Sequence, residues 1–182
     1  MQQKQLAFGV SFVVLVAMLA TAQQPPQDKT KRPSPHETTD ITLKGKKITI
    51  DYGRPFLKGR KVGQELAPYG KVWRTGADEA TALTTEIDLS IGGLKVPAGK
   101  YTLYTLPSEG TWKLIINKQT GQWGTKYDES QDLGRVDMTK SSLPQPVEQF
   151  TISFAKDKKS EGTADLNMDW ENTRVSVVVK PQ

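Results

Sequence analysis

The residues best suited to chemistry in this sequence fall in two stretches. The first is Trp73-Arg74-Thr75-Gly76-Ala77-Asp78-Glu79-Ala80-Thr81. Arg74 offers a planar fork of donors to an anion, Asp78 and Glu79 offer acceptors to sugar hydroxyls, and Trp73 offers a stacking plate. The same residues also suit a packing role, with Gly76 in a tight turn, Arg74 paired to Asp78 or Glu79, and Trp73 plugging the end of a core. Upstream, Tyr52-Gly53-Arg54-Pro55 and Lys58-Gly59-Arg60-Lys61 form a basic run in which Arg54 and Arg60 suit phosphate or carboxylate groups. That run lacks the Gly-x-x-x-x-Gly-Lys-Ser/Thr spacing of a nucleotide cradle. The second stretch, KQTGQWGTKYDESQDLGRVDM, carries Trp123, Tyr127 and Arg135.

Three further patterns point to other chemistry. Asp78 or Glu79 with Asp128 or Glu129 would supply the two carboxyls of a glycan hydrolase, provided the fold brought them together. His36, beside Glu37 and Asp40, has the residue type of a general base, but no Gly-x-Ser-x-Gly elbow accompanies it. As an ordinary residue it would dock the first strand. Asp165, Asn167, Asp169 and Glu171 alternate along the chain, which on a strand spreads them about 6.5–7 Å apart, too far for one calcium ion to gather. A solvated strand face is the expectation there.

Composition narrows the field. The chain has 182 residues, no Cys and a single His. Disulfides, thiolate zinc sites, Cys nucleophiles and a lipidated Cys are therefore excluded, as is a multi-His metal centre within one chain. No cofactor or metal is called for by any motif. The net charge of +5 is too mild to suggest nucleic acid as a partner.

The N-terminus reads as a leader. Lys4 precedes an apolar run from Leu6 to Ala20, and Ala20-Thr21-Ala22 supplies small residues for cleavage. The run is shorter than the about 20 residues a spanning helix needs. Residues 1–22 are thus expected to be a signal peptide and 23–34 a Pro- and Lys-rich extended tether. Residues 35–182 would form one domain, exported to the periplasm or beyond, with no transmembrane segment in the mature chain.

The elements that must position these residues are strands. Period-two alternation runs through KKITIDY, LTTEIDLSI, KYTLYTL, TWKLIIN, EQFTISF, ADLNMDW and TRVSVVVK. Gly92-Gly93 marks a tight hairpin, and KYTLYTL, apolar on both faces, reads as central. The spacing predicts an all-β, jelly-roll-like antiparallel sandwich of about eight strands. Two long connections, Gly53 to Ala80 and Lys118 to Val147, carry Trp73 and Trp123, two of the four Trp residues, and Arg54, Arg60, Arg74 and Arg135; only QELAPYG and YDESQDLG could hold a helical turn.

Those connections also carry recognisable text. GRPFLKGRKV, APYGKVWRTGADEAT, VPAGKYTLYTLP, WKLIINK and WGTKYDES together resemble the bacterial family catalogued as domain of unknown function 2911, from about Ser34 to near the C-terminus. The resemblance implies an exported, β-rich bacterial domain and brings no reaction, substrate or cofactor. From the residues themselves, three functions stay open. One is a non-catalytic module that binds a carbohydrate, a small anion or an envelope protein through Arg54, Arg60, Trp73, Arg74, Asp78, Glu79, Trp123, Tyr127 and Arg135. The others are a glycan hydrolase and a purely structural envelope domain.

Overall fold

The computed structural model describes residues 28–157 and 162–182. The expected signal peptide lies outside the described residues, as do residues 23–27 of the tether. Nine strands form: β1 (His36–Leu43), β2 (Lys46–Gly53), β3 (Thr81–Thr85), β4 (Leu89–Ile91), β5 (Leu94–Val96), β6 (Gly99–Leu106), β7 (Trp112–Asn117), β8 (Asp132–Lys156) and β9 (Ala164–Pro181). All pair antiparallel in one sheet of order β1-β2-β3-β6-β7-β8-β9-β4-β5, which ends on β1 and β5 and does not close into a barrel. Among the described residues the only helical pieces are two single 3-10 turns, Lys29–Lys31 and Glu129–Gln131. The second falls within the YDESQDLG run.

The long β8 makes two layers from one sheet. Its first part, Asp132 to Met138, pairs with β7, and Thr139 to Lys156 pairs with β9. The sheet thereby folds back until the side chains of β2 meet those of distal β8. Tyr52 marks the contact: its ring lies 5.9 Å edge-on from Phe150, and its hydroxyl donates to the Ile152 carbonyl while accepting from the Ile152 N–H at 2.9 Å. Between the limbs, Ile48, Ile50, Leu83, Leu103, Leu114, Ile116, Leu166 and Val179 are almost fully buried. These are the alternate positions of their strands, so the apolar face turns inward as the sequence pattern requires. β6 is central, with Tyr101 to Thr105 buried on both faces.

Tyr52 allows a first prediction. Burial pushes its phenol above the ordinary range, so it stays a neutral donor and acceptor. Tyr52→Phe leaves the Ile152 N–H without its acceptor and should cost about 1–3 kcal/mol in urea unfolding. Unchanged stability would mean that another group satisfies this N–H.

The strands differ from expectation in three places. LTTEIDLSI is not one strand: it breaks at Glu86–Asp88, and β3 and β4 join opposite limbs. Local bonds explain the break, since the Thr85 hydroxyl donates to the Ile87 carbonyl and Asp88 Oδ1 accepts from the Ala98 N–H, both in place of ladder bonds. The second long connection ends at Gln131 rather than near Val147, because β8 begins at Asp132. ADLNMDW and TRVSVVVK are not two strands either, since both belong to β9. That strand runs on with a kink at Glu171 (φ 51°), whose carboxylate takes the Val62 N–H and Lys61 Nζ. The Gly92-Gly93 hairpin forms as expected, both residues having positive φ between the paired Ile91 and Leu94.

Candidate functional site

The two loops rich in Arg and Trp lie side by side. Asp78 and Gly124 are joined by the Gly124 N–H donating to the Asp78 carbonyl at 2.9 Å, and Ala80 N–H donates to the Gln122 carbonyl at 3.1 Å. The first loop is also sewn to the sheet, since Trp73 and Thr105 exchange both backbone bonds, at 2.8 and 2.9 Å. Thr75 sits beyond that bridge at φ 54°, a costly conformation for a β-branched residue. It is held there by Thr81 Oγ1, which donates to its carbonyl at 2.8 Å, and by a 3.2 Å hydroxyl contact with Thr105. Lys58, Ala67 and Asp78 also have positive φ, so four of the six such non-glycine residues among those described fall in the Gly53–Ala80 connection. Such conformations persist only where the surrounding contacts hold them, as they do at Thr75.

Between the loops is an open cleft of about 340 Å³. The first loop contributes Arg60, Glu65 to Pro68, and Val72 to Arg74, while Gly124, Thr125 and Tyr127 come from the second and Tyr104 forms part of the wall. Four of the nine predicted residues, Arg60, Trp73, Arg74 and Tyr127, therefore meet here. Arg60 is oriented by two backbone acceptors, Nε donating to Leu57 at 3.0 Å and Nη2 to Phe56 at 2.9 Å. Arg74 uses only Nε, donating to the Gly76 carbonyl at 3.2 Å. Its two terminal nitrogens have no partner among the described residues. Trp73 is mostly packing: its ring stacks on Trp170 at 5.4 Å and meets Phe150 edge-on at 5.0 Å. Tyr127 leans edge-on against Tyr104 at 4.8 Å, donates to Asp132 Oδ2 at 2.7 Å and accepts from Arg135 Nη2 at 2.8 Å. Burial, and then the Asp132 carboxylate, push its phenol well above the ordinary range, so it keeps its proton.

The other five predicted residues do not line the cleft. Arg54 donates to the Phe150 carbonyl and the Thr151 hydroxyl and pairs with Glu37, which pins β1 and β2 to β8. Arg135 holds Tyr127, Glu129 and Asp132 together from behind. Asp78 contributes its carbonyl to the loop junction, while its Oδ2 is buried without a partner among the described residues. Glu79 is engaged by Arg32, and His36 Nε2 lies 3.1 Å from its other oxygen. Burial raises the Glu79 carboxyl, but its own backbone N–H and the Arg32 guanidinium outweigh this and hold it below the usual range. Trp123 lies at the surface, 38 % exposed, with the Arg32 guanidinium over its ring at 5.1 Å.

Arg32 belongs to the segment expected to be a solvated tether. Its described part, residues 28–34, instead packs on the domain: Lys29 pairs with Asp51, and Arg32 closes over the Glu79–Trp123 junction. Glu65, Tyr104, Gly124 and Arg32 are the residues that sequence reasoning missed. Only Gly124, in the Trp123-Gly124-Thr125 text, carried a signal, a glycine where a backbone approaches closely. A Cβ there would lie 2.6 Å from Arg74 Cδ and 2.8 Å from the Asp78 carbonyl oxygen.

None of the carboxylates proposed for hydrolysis lines the cleft. Glu79 is tied to Arg32, Asp128 Oδ1 accepts from Ser130, and Glu129 is tied to Arg135. Glu65 is the acidic residue of the cleft. The alternating row on β9 is not a solvated face either. Asn167 and Asp169 are buried, and Asp169 is bridged by Arg174 at 2.6 and 2.7 Å. No helix among the described residues is long and apolar enough to cross a membrane.

Among known proteins, a family model described as protein of unknown function (DUF2911) matches residues 34–179. No curated protein and no solved structure matches the chain.

Proposed function

The chain belongs to the DUF2911 family, whose description assigns no reaction, and on that premise we propose that it is an exported module that binds a small anionic ligand in the cleft between its two loops. One observation carries the reading: Arg74 stands half-buried in the cleft wall with both terminal nitrogens facing no acceptor among the described residues, beside Arg60 already oriented by two carbonyls. Guanidinium groups fixed before the ligand arrives lose little freedom on binding, which favours affinity. The cleft size falls at the small end of ligand sites, about 300–1,000 Å³. Tyr104, Tyr127 and the edge of Trp73 supply apolar wall against which a carbon skeleton can rest. The support for export is the leader-like sequence of residues 1–22.

The test is a melting screen of the mature protein against small carboxylates, inorganic phosphate and neutral sugars. A ligand at a hundred times its Kd adds about 2.7 kcal/mol, which for a domain of this size raises Tm by roughly 5–10 °C. Anions are expected to produce such shifts and neutral sugars none. A panel in which no anion moves Tm overturns the reading.

A further inference from the structure

We propose that the occupant of this cleft is a small amino carboxylate, its carboxylate on Arg74 and its ammonium on Glu65. The inference rests on the anion-binding reading above and specifies the second charge of the ligand.

A cleft meant for a plain anion gains from positive walls alone, and a carboxylate in its lining works against it. Here Glu65 lines the cleft together with Arg60 and Arg74. It is fully ionised at neutral pH, its carboxyl held below the usual range first by the Lys61 backbone N–H, which it accepts at 3.0 Å through Oε2. Its own backbone N–H also supports the carboxylate, and among the described residues no cation stands within ion-pair distance of it. The cleft thus offers a carboxylate held by backbone N–H groups with no cation paired to it, and the unengaged guanidinium ends of Arg74.

Glu65 is also placed rather than loose. The turn that carries it is closed by Gly63 N–H donating to the Leu66 carbonyl at 2.7 Å and Leu66 N–H donating to the Lys61 carbonyl at 3.1 Å. Glu171 on β9 anchors the start of the turn through the Val62 N–H at 3.0 Å. The Tyr69 ring packs so closely on Gly63 that a Cβ there would lie 2.3 Å from it. Ala67, the next residue but one after Glu65, is held at φ 44° in the cleft wall. A carboxylate on a braced turn that lines the same cleft as Arg60 and Arg74, with apolar Leu66 and Pro68 in the lining, matches a ligand carrying both charges on a short skeleton.

The test is calorimetric titration of the mature protein with three pairs of probes, each an amino acid and the acid lacking its amine. The pairs are L-leucine and 4-methylpentanoate, L-phenylalanine and 3-phenylpropanoate, and L-glutamate and glutarate. In at least one pair the amino acid is expected to bind about tenfold or more tightly, and Glu65→Gln is expected to remove that preference. The Gln side chain still accepts the Lys61 N–H, and an unchanged Tm verifies that the turn survives. If the acids bind but no amino acid is preferred, or if the preference persists in Glu65→Gln, the inference falls and the anion site stands. If none of the six probes and no inorganic phosphate binds, the cleft reading falls with it.

Discussion

Arg74→Ala is expected to weaken binding of small carboxylates by about 10- to 100-fold, the cost of losing charge-assisted hydrogen bonds worth about 1.5–3 kcal/mol. The protein itself should hardly notice. Arg74 makes one internal hydrogen bond, to the Gly76 carbonyl, and its terminal nitrogens make none among the described residues. Tm is therefore expected to stay within about 2 °C of the parent, as for a substitution that removes little packing. That combination separates a ligand anchor from a strut. Arg54 and Arg135, which spend their nitrogens on protein acceptors, should show the opposite pattern, lower stability with less effect on affinity. Arg74→Lys restores the charge but not the flat two-pronged donor set, and should recover only part of the affinity. Equal affinity of Arg74→Ala and parent, measured by titration at low salt, refutes the anchor role.

Gly53→Ala is expected to produce the largest loss of stability of any single methyl addition in the first loop. Gly53 ends β2, opposite His36 at the start of β1. Its φ is not in the left-handed region, so glycine is needed there for space. A Cβ would lie 2.3 Å from the Ala77 carbonyl oxygen and 2.9 Å from its carbon, both backbone atoms that cannot rotate away. Gly76 is in the same position from the other side, its Cβ falling 2.9 Å from the Gly53 carbonyl oxygen. The two backbones touch, and this is how the Trp73–Thr81 loop is seated on the sheet. Overpacking costs about 1–3 kcal/mol, and more where backbone must move, so a loss of about 3 kcal/mol and a fall in Tm of roughly 6–12 °C are expected. Displacing Ala77 also displaces Arg74, so anion affinity should fall together with stability. A Gly53→Ala protein with parental Tm and affinity contradicts this seating.

How far the sequence could be read depended on the range of the forces involved. Alternation marked the strands because burial of every second side chain is imprinted residue by residue: Ile48, Ile50 and Tyr52, or Val175, Val177 and Val179, are buried as their spacing requires. Gly92-Gly93 was legible because positive φ is a local property. The break between Thr85 and Leu89 was not, because its cause is a hydroxyl and a carboxylate taking backbone partners that alternation does not weigh. Nor was the single span of β8, since the polar Ser141–Gln145 region has the composition of a loop and pairs with β9 only at its start, through Ser141 and Ser142. In the site, Arg60, Trp73, Arg74 and Tyr127 were picked out by residue type and do meet. Arg54, Glu79 and Arg135 share those types and lie elsewhere, because a guanidinium or carboxylate looks the same in sequence whether its partner is a ligand or the protein.

What this chain settled by itself, then, was its class: nearly continuous two-residue periodicity with glycine turns leaves an antiparallel β-protein as the way to bury its apolar side chains, and the absence of cysteine with one histidine removes whole families of chemistry. Which charged groups were left with unspent hydrogen bonds was decided only by the tertiary structure. That property depends on contacts between residues such as Arg32 and Glu79, or Lys61 and Glu171, whose pairing is set by how the sheet folds over and not by any local preference of the chain.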